Sequence, residues 1–226
     1  MSARTARWAD LRVVCFGDST TWGDNGTGEG GPAIAWPARL QELLGIGEVV
    51  NRGVKGSRIA VCNDRADSFI ERRNTLPDRA DVVLVLGGVN DFCRNVPLGA
   101  AGETDTTTFF GALDTLARSL VTCYPEAVVV FMTPMKTAGV PRKGLPASVD
   151  ENGCGLVEAD YAAAVRAVAD RYGMPVIDLF AESTISPYLP EHRERYMPDG
   201  LHYSPAGYER LARRIAAGLS AIVCAQ

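Results

Sequence analysis

The chain has 226 residues, 46% of them hydrophobic and 22% charged, with a formal net charge of -4 at pH 7. That length suits one α/β domain over residues 1–226, with 1–10 as an N-terminal extension, and the acidic balance (sequence pI ≈ 5.3) speaks against nucleic acid and anionic membrane as partners. No apolar run has the length of a membrane helix and no signal-peptide core follows Met1–Arg7, so the expected location is cytoplasmic.

Arg12–Phe16 reads as the first strand, with Val13-Val14-Cys15-Phe16 as its apolar centre. Ser19 follows in Phe16-Gly17-Asp18-Ser19-Thr20-Thr21-Trp22-Gly23. A hydroxyl on the first turn after a buried strand lies where open α/β sheets place their ligand crevice. Ser19 is therefore a candidate nucleophile, although a serine before a helix is more often only an N-cap. Asp24–Gly31 is a glycine-rich loop, and Pro37 suits the first turn of a helix running to about Leu44.

Glu48–Asn51 is the second strand, followed by Asn51-Arg52-Gly53-Val54-Lys55-Gly56. A glycine there either turns its backbone N–H toward the crevice or makes an ordinary turn. Asp81–Leu86 is the third strand. It ends in Gly87-Gly88-Val89-Asn90-Asp91, where Asn90 offers a neutral amide donor suited to a developing oxyanion. Asn90 and Asp91 also suit a turn without chemistry. The Phe92–Asp105 loop leads into a helix over Thr106–Leu120, with Phe109, Phe110, Leu113, Leu116, Ala117 and Leu120 at helical spacing.

Ala127–Thr133 is the fourth strand, and the Pro134–Gly155 loop after it carries Lys136, Arg142 and Lys143. A helix over Val157–Tyr172 and a fifth strand over Pro175–Phe180 follow. The three long loops leave the carboxyl ends of strands and should rim one crevice. His192 lies in a charged run that reads as a solvated face. Asp199-Gly200-Leu201-His202 precedes a final helix over Pro205–Ile222, capped by Ser204. Its spacing lets a carboxylate hold Nδ1 of the ring while Nε2 takes a proton from a serine, or it forms only a surface turn.

The strands alternate with helices and are nearly continuous in apolar character, so a parallel sheet in a three-layer α/β/α sandwich is expected. The six cysteines include no C-x-x-C pair, so free thiols are expected and zinc-ribbon or thioredoxin readings have no support. Trp22, Trp36, Phe92, Met135, Tyr188 and Tyr203 suit core or rim packing as well as a substrate pocket. Taken together, the segments at the strand ends supply a nucleophile, a base, an orienter and oxyanion donors, the set that acyl transfer needs.

The chain resembles the SGNH, or GDSL, hydrolase family. The resemblance rests on Gly17-Asp18-Ser19, a glycine after the second strand, Gly88-Val89-Asn90-Asp91, and Asp199-Gly200-Leu201-His202, in that order. Thr20 replaces the leucine of the GDSL name. The resemblance implies a flavodoxin-like five-stranded parallel sheet in the order 2-1-3-4-5. It also implies Ser19 as nucleophile, His202 as base and Asp199 as its orienter. The oxyanion hole would be the N–H groups of Ser19 and Gly56 (Gly53 as the alternative) and the Asn90 side chain. No metal or cofactor is implied.

The implied activity is hydrolysis of small acyl esters (short-chain or acetyl esters, with acetylated saccharides as one candidate) through an acyl-serine. Acyl transfer, thioesterase or lysophospholipase action on the same site are the alternatives. Gly26-Thr27-Gly28-Glu29-Gly30-Gly31 matches G-x-G-x-x-G but begins ten residues after Phe16. A dinucleotide loop should follow its strand directly, so a nucleotide-binding module is a distant alternative.

Overall fold

A computed structural model describes residues 7–223 of the chain. The expected N-terminal extension is therefore described only from residue 7, and Cys224 lies outside the described residues. Strands β1 (Arg12–Gly17), β2 (Glu48–Gly53), β3 (Val82–Leu86), β4 (Val128–Met132) and β5 (Val176–Ile177) form one parallel sheet. Its order is β2-β1-β3-β4-β5, as the resemblance implies. The helices are α1 (Ser19–Trp22), α2 (Trp36–Leu44), α3 (Phe69–Arg72), α4 (Val89–Cys93), α5 (Phe109–Cys123), α6 (Glu158–Arg171), α7 (Leu179–Glu182), α8 (Pro190–Tyr196) and α9 (Pro205–Val223).

The unbroken apolar runs are explained by the layers. Val14, Phe16, Val83, Val85, Val129 and Phe131 face one side, where they meet residues of α3, α5 and α6. Val13, Cys15, Val82, Leu84, Leu86, Val130 and Met132 face the other, against α2 and α9. A strand covered on both faces has no solvent side, so polar alternation has no place in it. The helical spacing in α5 does the corresponding job: Phe109, Leu113, Leu116, Ala117 and Leu120 are buried, with the Thr108 side chain accepting the Gly111 N–H as N-cap.

The last strand is shorter than the pattern suggests. Asp178 ends it, because its carboxylate accepts the Ala181 N–H and caps α7. Leu179 and Phe180 therefore belong to a helix, although Leu179 is fully buried. The stretch after β3 also differs, since Val89–Cys93 is helical and takes in Phe92 and Cys93, the first two residues expected in the Phe92–Asp105 loop. Ser204 caps α9 as expected, accepting the Gly207 N–H at 3.1 Å. Cys15, Cys62, Cys93, Cys123 and Cys154 are free thiols.

Chain order reverses at β1, which has β2 on one side and β3 on the other. The carboxyl ends of β1 and β3 therefore bound the crevice in which doubly wound sheets bind ligands.

Candidate active site

β1 ends at Gly17 and the chain turns into α1 at once. The cap of α1 is Asp18, whose Oδ1 accepts the Thr20 N–H at 2.9 Å. Ser19 is the first helical residue, so the N-cap reading of Ser19 is corrected: the neighbouring carboxylate takes that role and leaves the hydroxyl for other partners. β2 clamps the turn. Asn51 Nδ2 donates to the Thr21 carbonyl at 2.7 Å, and a Cβ at Gly53 would collide with the Trp22 backbone. Glycine at 53 is what lets α1 lie against the end of β2.

The turn before α9 brings the other partners to Ser19. Asp199 Oδ1 accepts the N–H groups of Leu201 and His202 at 2.9 and 2.7 Å. Its Oδ2 lies 2.7 Å from His202 Nδ1, and His202 Nε2 lies 3.2 Å from Ser19 Oγ. Burial works to raise the Asp199 carboxyl. The bond to His202, its charge and the two backbone N–H groups outweigh this and hold it at about 2. An ionised carboxylate at Nδ1 keeps a proton on that nitrogen and leaves Nε2 as the acceptor for the Ser19 hydroxyl. Both Ser19 and His202 are buried, at 6% and 7% exposure, so water does little to dilute these contacts.

The glycine-rich loop covers this pair. Gly26 has φ +76°, and a Cβ there would run into the Asp199 carboxylate. A negative group occupies the place where a phosphate-binding loop would need an anion. That argues against the nucleotide reading of Gly26–Gly31.

Asn90 lies on α4, with Nδ2 donating to the Ser57 carbonyl at 3.1 Å and to Asp18 Oδ2 at 3.3 Å. Burial pushes the Asp18 carboxyl up to about 6. Asp91 beside it is fully buried and accepts the N–H groups of Ile59 and Ala60 at 2.9 and 3.0 Å. Burial drives its carboxyl up to about 7. The turn-residue reading of Asp91 is thereby replaced: it ties the loop after β2 to α4. Of the two glycines in that loop, Gly53 commits its N–H to Asn51 Oδ1 at 2.9 Å. Gly56, with φ +74°, donates to no acceptor among the described residues.

His192 sits apart, on α8, accepting the Ser186 N–H at 3.1 Å and packing edge-on against Tyr196. Trp36, Phe92, Met135 and Tyr203 are buried. Of these, Met135 and Tyr203 line a cavity of about 10 Å³ beside Asp18 and Thr20, room for about one water. A cleft of about 450 Å³ opens on the outer side of Asp199 between the loops carrying Asn25 and Arg142. Two of the three long loops, Asp24–Gly31 and Pro134–Gly155, therefore border the site, while Phe92–Asp105 packs on Pro134–Gly155 through Asn95 and Gly153. Two groups in the site have no motif to announce them. Asp24 Oδ2 lies 3.7 Å from His202 Nε2 and bonds Lys55 Nζ at 2.7 Å. Only their place on loops that follow β1 and β2 hints at them in the sequence.

Among the described residues, no cluster of three or more His, Cys, Asp or Glu could hold a metal ion. No helix among them is long and apolar enough to cross a membrane.

Residues 15–210 match the GDSL-like Lipase/Acylhydrolase family. No curated protein matches the chain. One solved structure is 58% identical with a TM-score of 0.94, covering 96% of this chain and 99% of its own. A protein from Lactobacillus plantarum is 30% identical with a TM-score of 0.82, over 93% of this chain and 97% of that one. A possible lipase from Chitinophaga pinensis shares the fold at 21% identity and a TM-score of 0.76, over 94% of this chain and 99% of that one.

Proposed function

The chain belongs to the GDSL-like lipase/acylhydrolase family and is a hydrolase of ester type, and from that premise we propose that it is a serine esterase for small acyl esters with Ser19 as nucleophile. The observation that carries this reading is the continuous contact from Asp199 through His202 to Ser19, at 2.7 and 3.2 Å.

In the proposed reaction Ser19 Oγ attacks the ester carbonyl as its proton passes to His202 Nε2. The imidazolium is stabilised by Asp199, which stays ionised. The oxyanion of the tetrahedral intermediate accepts hydrogen bonds from Ser19 N–H, Gly56 N–H and the Asn90 amide. The carbon–oxygen bond to the alcohol then breaks, with the Nε2 proton transferred to the leaving oxygen. Water adds to the acyl-serine, giving its proton to Nε2, and collapse of that second intermediate frees the acid and returns the proton to Ser19 Oγ.

We propose that residues 1–226 act as one domain on a small-molecule ester, without nucleic acid. The test is hydrolysis of p-nitrophenyl esters from acetyl to long chain by wild type and Ser19→Ala. Turnover of the acetyl ester that is lost in the variant supports the reading. Comparable rates on acetyl and long-chain esters contradict the small-acyl part, and undiminished rates in the variant contradict the nucleophile.

A further inference from the structure

A second carboxylate faces the nitrogen of His202 that handles the proton. Asp24 Oδ2 lies 3.7 Å from Nε2. That separation is too long for a hydrogen bond, so its influence is that of a charge. Asp24 is buried, with 7% exposure, and is tethered on several sides. Its N–H donates to the Ser19 carbonyl at 2.9 Å, its carbonyl accepts the Tyr208 hydroxyl at 2.7 Å, and Oδ1 accepts the Gly26 N–H at 2.9 Å. Lys55 Nζ holds Oδ2 at 2.7 Å while sitting 4.9 Å from the Trp22 ring centroid. Burial opposes its ionisation, but Lys55, the Gly26 N–H and the His202 charge together keep the carboxyl below its ordinary value.

A neutral imidazole gains little from this carboxylate, because Nε2 then presents a lone pair. Once Nε2 has taken the Ser19 proton, the imidazolium lies between two anions, Asp199 and Asp24. An interaction that strengthens only as charge develops lowers the barrier instead of merely tightening the resting state. We propose that Asp24 is a positioning residue that stabilises the His202 imidazolium, with Lys55 limiting how strongly it does so. The proposal rests on the reading of His202 as the base.

The other groups facing His202 are accounted for. Asp199 comes from its own turn, and Asp18 from the cap of α1, with the Arg72 guanidinium beyond it bonded to the Gly17 carbonyl. Tyr203 and Tyr208 are driven upward by burial and stay neutral in the working range. None of these residues is itself replaced by substitution at 24 or 55, and Tyr208, which the Asp24 charge helps to hold neutral, stays neutral on burial alone, whereas Asp24 and Lys55 act on His202 with opposite sign.

The test uses that opposition. Asp24→Asn should make His202 protonate at a pH about one unit lower, and Lys55→Met at a higher pH by roughly half as much. With ring-labelled histidine, NMR titration reads this directly in folded protein, and a His192→Gln variant assigns the second ring. The acid limb of kcat/KM for p-nitrophenyl acetate should move the same way, and Asp24→Asn should lose about tenfold in kcat on the plateau. Equal midpoints in all three proteins, or displacement of both variants in one direction, overturns the proposal. A wild type inert on esters with oppositely displaced NMR midpoints would instead count against the esterase reading and leave the Asp24–His202 coupling standing.

Discussion

Asn90 and Asp18 are joined by a hydrogen bond of 3.3 Å from the Asn90 amide to Asp18 Oδ2. Asp18 uses its other oxygen to cap the helix on which Ser19 stands. The candidate oxyanion donor on α4 and the candidate nucleophile on α1 are therefore held by one carboxylate. Both Nδ2 hydrogens of Asn90 already have acceptors, the Ser57 carbonyl and Asp18 Oδ2, so donation to an oxyanion exchanges one of these bonds while the other holds the amide in place.

Replacing Asn90 by Ala should lower kcat by roughly 10²–10³ in protein that remains folded. Steady-state kinetics with p-nitrophenyl acetate checks this. A loss below about threefold removes Asn90 from the mechanism.

Asp199→Asn should lower kcat by roughly 10³–10⁴. The amide can donate to Nδ1, which puts the imidazole proton on Nε2 and removes the acceptor for Ser19. Because the carboxyl is held at about 2, wild-type activity should show no loss from Asp199 protonation between about pH 4 and 9. A variant retaining more than about a tenth of the rate would detach Asp199 from the chemistry.

Gly26→Ala places a side chain at φ +76° against the Asp199 carboxylate. We expect a fall in kcat of roughly 10–100-fold through displacement of the Asp–His pair, with a stability loss of only about 1–2 kcal/mol. Kinetics and thermal denaturation of the same sample separate the two effects. An unchanged kcat would show that the loop covers the pair without positioning it.

How much of this was legible in the sequence depends on how local each feature is. Ser19, the Asp199–His202 spacing and Asn90 are set within a few residues of strand or helix ends, and their residue types announce them. The apolar runs mark every strand, but β5 is overcalled because Leu179 looks like a strand residue and is buried in a helix instead. Asp18 and Ser19 are adjacent and both good caps, so propensity alone does not say which one caps. Asp24, Lys55 and Asp91 act across loops that meet only in the folded sheet, and no period or motif records those meetings. Glu158 reads as an ordinary acidic residue in the first turn of α6, while the loop after β4 buries it completely.

Glu158 also makes stability depend on pH. Its Oε2 accepts the Ser148 hydroxyl at 2.5 Å, Oε1 has no partner among the described residues, and burial pushes the carboxyl up to about 8. Between its ordinary value of 4.5 and about 8, the unfolded chain binds fewer protons than the folded one. Stability from this group therefore falls as pH rises through that window, by at most about 1.4 kcal/mol per pH unit. Glu158→Gln should flatten the decline. Urea denaturation of both proteins across that range checks this, and parallel curves would contradict it.

The most direct test of the central claim is covalent trapping. Wild type, Ser19→Ala and His202→Ala would be treated with a fluorophosphonate and analysed by intact-mass and peptide mass spectrometry. One phosphonyl adduct per chain is expected, located on Ser19, absent from Ser19→Ala and formed far more slowly by His202→Ala. An adduct on another residue, or equal labelling of wild type and Ser19→Ala, would contradict Ser19 as the nucleophile.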